Sequence, residues 1–238
     1  MRFTKMQAAG NDYVYMDTLK APISSPEALA RRISDRHFGV GSDGLILICP
    51  PSDPGEADFR MRMFNADGSE AEMCGNGIRC VGKYLYDNGM TDGRTTITID
   101  TLSGVKTLEL TVKDGKMQSA RVDMGAAILA PREIPVDMDG ENVISAPIVV
   151  DEKVYHMTCV SMGNPHCVIF QKEDVDDLDL TRIGPKFEHN PLFPERVNTE
   201  FVNVLPDGSL KMRVWERGSG ETWACGTGSC ATGVAACL

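Results

Sequence analysis

The pattern of apolar and polar residues changes from strand-like to helical at two cysteines, Cys74 and Cys225. Residues 61–64 and 212–215, which precede them, largely alternate apolar and polar side chains, and a Gly-containing turn follows each segment. Residues 78–89 carry apolar side chains at helical spacing and end in an Asn-Gly pair, which is a helix stop signal. The pattern therefore predicts each cysteine between a strand and a helix, at the helix N-terminus.

Other segments add elements to this pattern. Apolar and β-branched runs predict strands at 95–112, 144–150, 154–160 and 199–204, and residues 31–36 close a predicted first helix. The stretch 124–143 is rich in Gly, Pro and Asp, so it is predicted to connect two domains, 1–124 and 125–238.

An internal repeat links the two cysteines. Residues 61–82 align with residues 212–233 without a gap and share the cysteine and three glycines after it. Upstream, Gly10-Asn11 corresponds to Gly163-Asn164, at nearly the same distance from the repeat cysteine. Matched motifs in the same order predict a duplicated pair of structurally similar domains.

The two halves differ in length. The first continues to about Gly125, whereas the second stops at Leu238, shortly after its cysteine. By the symmetry of the repeat, we expect the second half to be incomplete at its C-terminal end by about 30 to 40 residues.

The charge of the chain narrows the choice of partner. A net charge of -10 and a pI near 4.9 argue against nucleic acid and anionic membranes, because both bind a basic protein face. No apolar run approaches the roughly 20 residues that span a bilayer, and the N-terminal residues lack the apolar core of a signal peptide. We therefore expect a cytoplasmic protein.

The eight cysteines need individual interpretation. In a reducing compartment they stay thiols, and their spacings do not match those of structural zinc sites, so we expect no metal. Cys74 and Cys225 share a duplicated context, which favours catalysis. The apolar neighbours of the others favour simple packing for Cys49, Cys80, Cys159, Cys167, Cys230 and Cys237.

A thiol at a helix N-terminus is suited to proton transfer. The helix dipole and the free backbone N–H groups stabilise the thiolate, so we expect a pKa lowered toward neutrality. The same N–H groups, at 75–77 and 226–228, form a cradle for a carboxylate. Two such halves would let one thiolate remove the α-proton of an amino acid while the other thiol returns a proton to the opposite face. The repeat thus predicts an amino-acid racemase or epimerase that needs no cofactor.

Two further features stay open at this level. His166 follows a Gly-Asn-Pro turn, where it fits either a residue satisfied by backbone groups or a substrate pocket. Glu216 and Arg217 fit a solvated pair at the end of a strand, and the residue pattern alone assigns them no function.

The chain resembles the diaminopimelate epimerases over nearly its whole length. The resemblance rests on GND (10–12), GVGSDGLILI (39–48), FNADGSEAEMCGNGIRC (64–80), GNPH (163–166), RVNTEF (196–201) and WERGSGETWACGTGSCA (215–231). It implies an α+β fold of two pseudo-symmetric domains, each a β-sheet rolled around a central helix, with the active site in a cleft. It also implies a homodimer, diaminopimelate as substrate, and no cofactor or metal.

The resemblance implies a role for each matching residue. Cys74 and Cys225 transfer the proton, while Asn65 and Glu216 orient the amino group at the reacting centre. His166 supports the cleft. The residues that bind the substrate carboxylate are Gly75, Asn76, Gly226 and Thr227. Those that bind the distal amino-acid end are Asn11, Asn164, Asn198 and Arg217.

Several alternatives remain at the level of the sequence. Gly44 stands where some members carry a glutamine that contacts substrate, so that contact is absent or replaced. The same fold could racemise another amino acid, such as histidine or proline, although the polar distal residues would then lack partners. The chain could also be an inactive truncated remnant, or a redox switch in which Cys74 and Cys225 form a disulfide.

Overall fold

A computed structural model describes residues 2–238 of the chain. Helices and strands mix within each of two compact units, one ending at Gly125 and the other running Ala126–Leu238. The predicted α+β class with curled sheets is therefore confirmed.

The first unit is built on an eight-stranded sheet. Its elements are β1 Thr4–Ala8, β2 Asn11–Asp17, α1 Pro26–Ser34, β3 Gly44–Cys49, β4 Phe59–Asn65, β5 Glu70–Ala71, α2 Gly75–Asp87, β6 Thr96–Asp100, β7 Lys106–Lys113 and β8 Lys116–Val122. The strand order is β1-β2-β3-β4-β6-β7-β8, and the short β5 pairs with β4. Parallel pairing of β2 with β3 and of β4 with β6 interrupts an otherwise antiparallel sheet.

The sheet curls around α2. This helix contacts β1 and β8, which lie at opposite ends of the strand order. Its apolar side chains Ile78, Val81 and Leu85 are fully buried in the main core of the unit. Each such side chain stabilises the fold by about 1.5–3 kcal/mol relative to exposure. The periodic apolar residues after Cys74 therefore form the axis of this core.

The helix α1 covers the other face of the sheet. Ala30 and Ile33 pack there on β2 and β3, so these two strands are buried on both faces. The prediction that residues 31–36 close the first helix was wrong by two residues, because α1 ends at Ser34. The Asp35 carboxylate accepts hydrogen bonds from the backbone N–H groups of His37 and Phe38, which forms a turn in place of a further helical turn.

The second unit is built on a six-stranded sheet with the order β14-β13-β12-β11-β10-β9. Its elements are β9 Ala146–Val150, β10 Lys153–Ser161, β11 Pro165–Phe170, α3 Leu180–Glu188, β12 Asn198–Val204, β13 Leu210–Glu216, β14 Gly220–Thr222 and α4 Gly226–Cys237, with 3₁₀ turns at Pro131–Glu133 and Val175–Asp177.

Two helices cover the faces of this sheet. On one side, α4 contacts β10, β11 and β12. On the other, α3 buries Phe187, whose ring packs edge-on against Tyr155 and Phe201. Both units contain the same three-strand arrangement, β2-β3-β4 in the first and β11-β12-β13 in the second. In each, the middle strand pairs in parallel with the strand before it and antiparallel with the strand after it. The strand that leads to each cysteine, β4 or β13, therefore pairs antiparallel with this middle strand in both units.

The predicted strands agree with these elements, with one refinement. The single run 95–112 is two antiparallel strands, β6 and β7, separated by a turn in which Thr101 Oγ1 donates to the Gly104 carbonyl. A positive φ of 90° at Gly104 makes that reversal possible, because glycine has no Cβ to clash.

Candidate active site

Cys74 is the N-cap residue of α2. Its backbone is extended, with φ -138° and ψ 108°, and its sulfur accepts a hydrogen bond from the Gly77 N–H at 3.2 Å. A side chain at position 77 would force the buried Ile46 side chain to shift, because a Cβ there would lie 2.5 Å from Ile46 Cδ1 and 3.4 Å from the Cys74 sulfur. The glycine at position 77 thus lets the start of the helix pack closely against Ile46 while its N–H caps the Cys74 sulfur.

Asn11 lies beside this sulfur. The Cys74 Sγ donates to Asn11 Oδ1 at 3.5 Å, and Asn11 Nδ2 donates to Asp43 Oδ2 at 2.7 Å. Asp43 in turn forms an ion pair with Arg36, which also binds Asp12. Although burial alone raises the pKa of Asp12, hydrogen bonds from Arg36 and Lys5 lower it to about 2. These ion pairs therefore hold the start of β2 in place, and Asn11 is held with it through its hydrogen bond to Asp43.

The other predicted residues of the first unit lie at the ends of its elements. Asn76, buried at the second position of α2, accepts from Arg79 Nη2 at 2.7 Å, and Gly75 is the first helical residue. Asn65 ends β4, and its Nδ2 donates to Ser69 Oγ at 3.0 Å. Gly44 pairs with Asn65 in the sheet, where a Cβ would lie 2.1 Å from the Phe64 carbonyl oxygen. Position 44 therefore has no space for a larger side chain unless the backbone moves.

Cys225 caps α4 in the same way. Its φ is -117° and its ψ 115°, and its sulfur accepts from the Gly228 N–H at 3.3 Å. Thr227 Oγ1 lies 3.3 Å from the same sulfur, and Gly226 is the first helical residue. The prediction that both cysteines stand between a strand and a helix is confirmed.

The pKa of Cys225 was expected to fall, and that expectation was wrong. Burial raises the pKa of this thiol well above its ordinary value, and the negative charges of Glu216 and Glu200 raise it further. Hydrogen bonds from Thr227 and Gly228 lower it by less than these effects raise it. The helix start is visible in the sequence, but the burial of the sulfur and its acidic neighbours are not.

A buried polar cluster connects Cys225 to the strands beneath it. Asn164 Nδ2 donates to Thr227 Oγ1 at 3.2 Å, and Asn164 Oδ1 lies 3.0 Å from His166 Nε2. His166 Nδ1 lies 2.7 Å from Glu200 Oε1, and both of these side chains are fully buried. His166 is therefore an internal residue of the site. Glu200 was missed, although a glutamate in the apolar run 199–204 is a signal that could have identified it.

Asn198 and the turn after β13 form the remaining part of the second unit's site. Asn198 Nδ2 donates to the Pro165 carbonyl at 2.7 Å, and its Oδ1 accepts from the Arg217 N–H at 2.9 Å. Arg217 Nη1 donates to the Glu195 carbonyl, and Glu216 accepts from the Thr222 hydroxyl.

A buried carboxylate fixes this turn. Glu188 Oε2 accepts from Trp215 Nε1 at 2.7 Å, and its Oε1 accepts from the Gly218 N–H at 2.9 Å. The residues Glu216 and Arg217 lie between these two anchored positions, so their backbone is held from both sides. No motif or periodicity around Glu188 indicates this role.

The site residues occupy matching positions in the two units. Asn76 and Thr227 are the second residues of their helices, and Asn65 and Glu216 are the last residues of β4 and β13. In each unit an asparagine is linked to the cysteine. Asn11 accepts a hydrogen bond from the Cys74 sulfur directly, whereas Asn164 donates to Thr227, whose hydroxyl contacts the Cys225 sulfur.

Three observations bear on other chemistry. All eight cysteines are free thiols. Within residues 2–238, no three side chains of His, Cys, Asp or Glu are grouped as metal ligands. The described part of the chain also contains no helix with the length and apolar character needed to cross a membrane.

Comparison with known proteins places this geometry in a family. The family model described as diaminopimelate epimerase matches residues 3–130 and 158–238. A diaminopimelate epimerase of Acetivibrio thermocellus is 57% identical over 238 residues, covering 100% of this chain and 83% of the relative. One of Methanococcus maripaludis is 54% identical over 238 residues, covering 100% of this chain and 84% of the relative.

Solved structures show the same fold at low identity. A hydroxyproline epimerase from Agrobacterium vitis superposes with a TM-score of 0.69 at 15% identity, covering 98% of this chain and 75% of that one. A phenazine biosynthesis protein of the PhzF family from Bacillus anthracis gives a TM-score of 0.63 at 19% identity, covering 98% and 77%. With relatives above half identity along its whole length, and a cysteine capping a helix in each unit, the chain belongs to the diaminopimelate epimerase family.

Proposed function

We propose that this protein is an isomerase that interconverts LL- and meso-diaminopimelate, with Cys74 and Cys225 as its two proton-transfer groups and no cofactor. Membership of the family supports the substrate. The observation that carries the mechanism is that each cysteine sulfur accepts a backbone N–H at the start of a helix, at 3.2 and 3.3 Å. Such hydrogen bonds and the helix dipole stabilise a thiolate.

The two thiols start the reaction in different protonation states. Because burial and two carboxylates raise the pKa of Cys225, this cysteine rests as a neutral thiol and acts as the proton donor. Cys74, whose thiol donates to Asn11 Oδ1 in this structure, acts as the base once it has lost that proton: its thiolate removes the α-proton, and the Cys225 thiol delivers a proton to the opposite face. After one turnover Cys74 is the thiol and Cys225 the thiolate, which is the state that the reverse substrate requires. The scheme conserves protons.

The substrate is held by groups that match its charges. Removing the α-proton places negative charge on the substrate carboxylate, and we assign the stabilisation of that charge to the backbone N–H groups at 75–76 and 226–227, the first two residues of each helix. Glu216 and Asn65 orient the ammonium group. The distal amino-acid end, which is itself charged, requires polar partners, and we assign it to Asn11, Asn164, Asn198 and Arg217.

We also propose that the enzyme works in the cytoplasm as a homodimer, as the family resemblance implies. Sedimentation equilibrium of the purified chain tests the dimer, and a single species of 25.9 kDa would contradict it.

Deuterium exchange tests the function directly. The reduced protein is incubated with LL-diaminopimelate in D2O, and NMR follows loss of the α-proton signal and appearance of the meso isomer. Changing either cysteine, as Cys74→Ser or Cys225→Ser, should lower the rate by about 10²–10⁴, the usual contribution of a positioned acid or base. Serine keeps an oxygen that caps the helix, so folding is preserved.

Cys230→Ser is the matched control. Cys230 is a partly buried thiol on the same helix as Cys225 but is not its cap, so its replacement should leave the rate unchanged. Full activity in either cap variant would contradict the two-base mechanism. Exchange with proline or histidine, but not with diaminopimelate, would contradict the proposed substrate.

A further inference from the structure

An arginine–glutamate ion pair occurs at the same place in both units. Arg62 donates from Nε and Nη2 to the two carboxylate oxygens of Glu70, at 2.7 and 2.8 Å. In the second unit, Arg213 Nε and Nη2 lie 2.8 and 2.7 Å from Glu221 Oε1. Two donors from one guanidinium make such a contact strong and directional. We call Arg62–Glu70 and Arg213–Glu221 the hairpin pairs, and they occupy matching positions of the internal repeat.

Each pair joins the two strands of the hairpin that leads to a cysteine. Arg62 and Glu70 lie on β4 and β5, whereas Arg213 and Glu221 lie on β13 and β14. In the part of the chain that the structure describes, β5 pairs only with β4, over two residue pairs, and β14 pairs only with β13, over three. Because strands this short form few backbone hydrogen bonds, the ion pair is a large part of what holds the returning strand in place.

The hairpins also connect the residues that the proposed mechanism uses. The same number of residues separates Asn65 from Cys74 and Glu216 from Cys225. In both segments the ion-paired glutamate lies between the two. A change in the conformation of the hairpin would therefore move the residue that orients the substrate ammonium group relative to the sulfur that transfers the proton.

The tip of each hairpin is anchored by different chemistry in the two units. Arg31 of α1 donates to the Asp67 carbonyl at 3.0 Å, whereas Glu188 of α3 accepts from the Gly218 N–H at 2.9 Å. Only the base of the hairpin has the same ion pair in both. The side chains of the hairpin pairs are between 24% and 33% exposed, and ion pairs this accessible contribute little to overall stability. Their repetition therefore points to local geometry.

We propose that the hairpin pairs are positioning residues, which hold each hairpin so that its substrate-orienting residue and its cysteine stay aligned for proton transfer. They act through the hairpin and not by contact with the reacting atoms. Loss of a pair should loosen the hairpin and disturb this alignment while the unit stays folded. The inference rests on the proposed two-cysteine function.

Steady-state kinetics measures the effect on catalysis. Glu70→Gln and Glu221→Gln keep the size of the side chain and remove its charge. In each variant kcat should fall about tenfold, because a small misplacement of reacting groups is costly, whereas KM for LL-diaminopimelate should stay within about twofold, because the helix starts that hold the carboxylate are unchanged. The midpoint of guanidinium unfolding should stay close to that of the wild type. An unchanged kcat in either variant would overturn the proposal.

Asp100→Asn is the matched control. It breaks the Arg60–Asp100 ion pair, which also lies on β4 and is similarly exposed, but which joins β4 to β6 and not to the hairpin. Its kcat should equal that of the wild type. If Asp100→Asn lowered kcat as much as Glu70→Gln, loss of any ion pair on this strand would explain the result, and the proposal would fail.

A double-mutant cycle shows whether the members of a pair act together. Arg62→Gln combined with Glu70→Gln should lose no more kcat than the more affected single variant, because a broken pair cannot be broken twice. The first unit suits this test because Arg213 also donates to three backbone carbonyls, at 175, 176 and 178. Arg62→Lys, which keeps the charge without the second donor, should give an intermediate loss and replaces Glu70→Gln if that variant does not fold. Losses that multiply would refute a shared role.

Hydrogen exchange examines the hairpins without substrate. Mass spectrometry of the full chain follows residues 65–74 and 216–225 separately. Exchange of 65–74 should become about fivefold faster in Glu70→Gln, with 216–225 unchanged, and Glu221→Gln should show the reverse. Unchanged exchange, or faster exchange with full kcat, would overturn the proposal. Because exchange needs no diaminopimelate, an inactive wild type would contradict the proposed function, while exchange would still decide whether the pairs hold the hairpins.

Discussion

Alanine substitution at two helical glycines of the second unit should have opposite effects on stability. Gly184, in α3, packs against the Trp215 ring so closely that a Cβ would lie 2.2, 2.4 and 2.6 Å from three ring atoms. Gly233, in α4, is exposed and has no atom within 4 Å of such a Cβ. The chemical change is the same in both variants, so the difference between them isolates the contact with Trp215.

The expected changes in unfolding free energy combine two effects, helix propensity and overpacking. Alanine in place of a helical glycine gains about 1 kcal/mol of helix propensity. Overpacking a core costs about 1–3 kcal/mol, and the upper end applies at position 184 because the Trp215 ring is fixed by its hydrogen bond to Glu188 at 2.7 Å. We therefore expect Gly184→Ala to lose about 2 kcal/mol of unfolding free energy and Gly233→Ala to gain about 0.5–1 kcal/mol.

Guanidinium unfolding followed by tryptophan fluorescence measures both variants. The chain has two tryptophans, Trp215 and Trp223, and both lie in the second unit, so the signal reports on the unit that contains the substitutions. Because Trp215 precedes Glu216 and Arg217, Gly184→Ala should also raise the KM for diaminopimelate. If Gly184→Ala were as stable as Gly233→Ala, the tight contact with Trp215 would not constrain the fold, and the reasoning would be refuted.

Two other predictions concern buried ionisable groups. Glu188→Ala should lose about 3 kcal/mol of unfolding free energy because the Trp215 and Gly218 N–H groups lose their acceptor, whereas Glu173→Ala, which breaks an exposed ion pair, should change it by less than about 1 kcal/mol. If denaturant unfolding gave similar losses of unfolding free energy for Glu188→Ala and Glu173→Ala, the proposed role of Glu188 in anchoring the turn would be contradicted. Because burial raises the pKa of Cys225, its thiol stabilises the fold below the unfolded pKa of about 8.5, and that contribution disappears as pH rises. Wild-type unfolding free energy should therefore fall more steeply between pH 7 and 10 than that of Cys225→Ser, and equal slopes would disprove the effect.

Most of the correct predictions about the fold came from the internal repeat. A strand, a turn, a cysteine and a Gly-Xaa-Gly sequence form a local signal, since capping and glycine exposure depend on a few neighbouring residues. That is why the helix starts at Cys74 and Cys225 were predicted correctly. The helix α3 gave no comparable signal. It contains Gly184 and Pro185, both unfavourable inside helices, and it is stabilised instead by packing against β12 and β13.

The candidate site could be predicted by residue type but not by environment. Residues such as Asn11 and Asn164 were identified from motifs, and their roles in binding stay predictions. The buried pair of His166 and Glu200 could not be found from spacing, because 34 residues separate the two along the chain and only the parallel register of β11 with β12 brings them together. The raised pKa of Cys225 escaped prediction for the same reason, since burial is a tertiary property.

The capping of each helix by its cysteine limits which other residues could perform the chemistry. A replacement at either position must still accept the N–H of the third following residue, or the helix loses about 0.5–2 kcal/mol at its start. Serine meets that demand but is a poor base, whereas aspartate both caps a helix and exchanges protons. A single substitution could therefore exchange thiol for carboxylate chemistry without unravelling the scaffold. The sulfur that reacts also caps the helix. The reactions open to this fold are therefore limited to those of the few side chains that can cap a helix N-terminus.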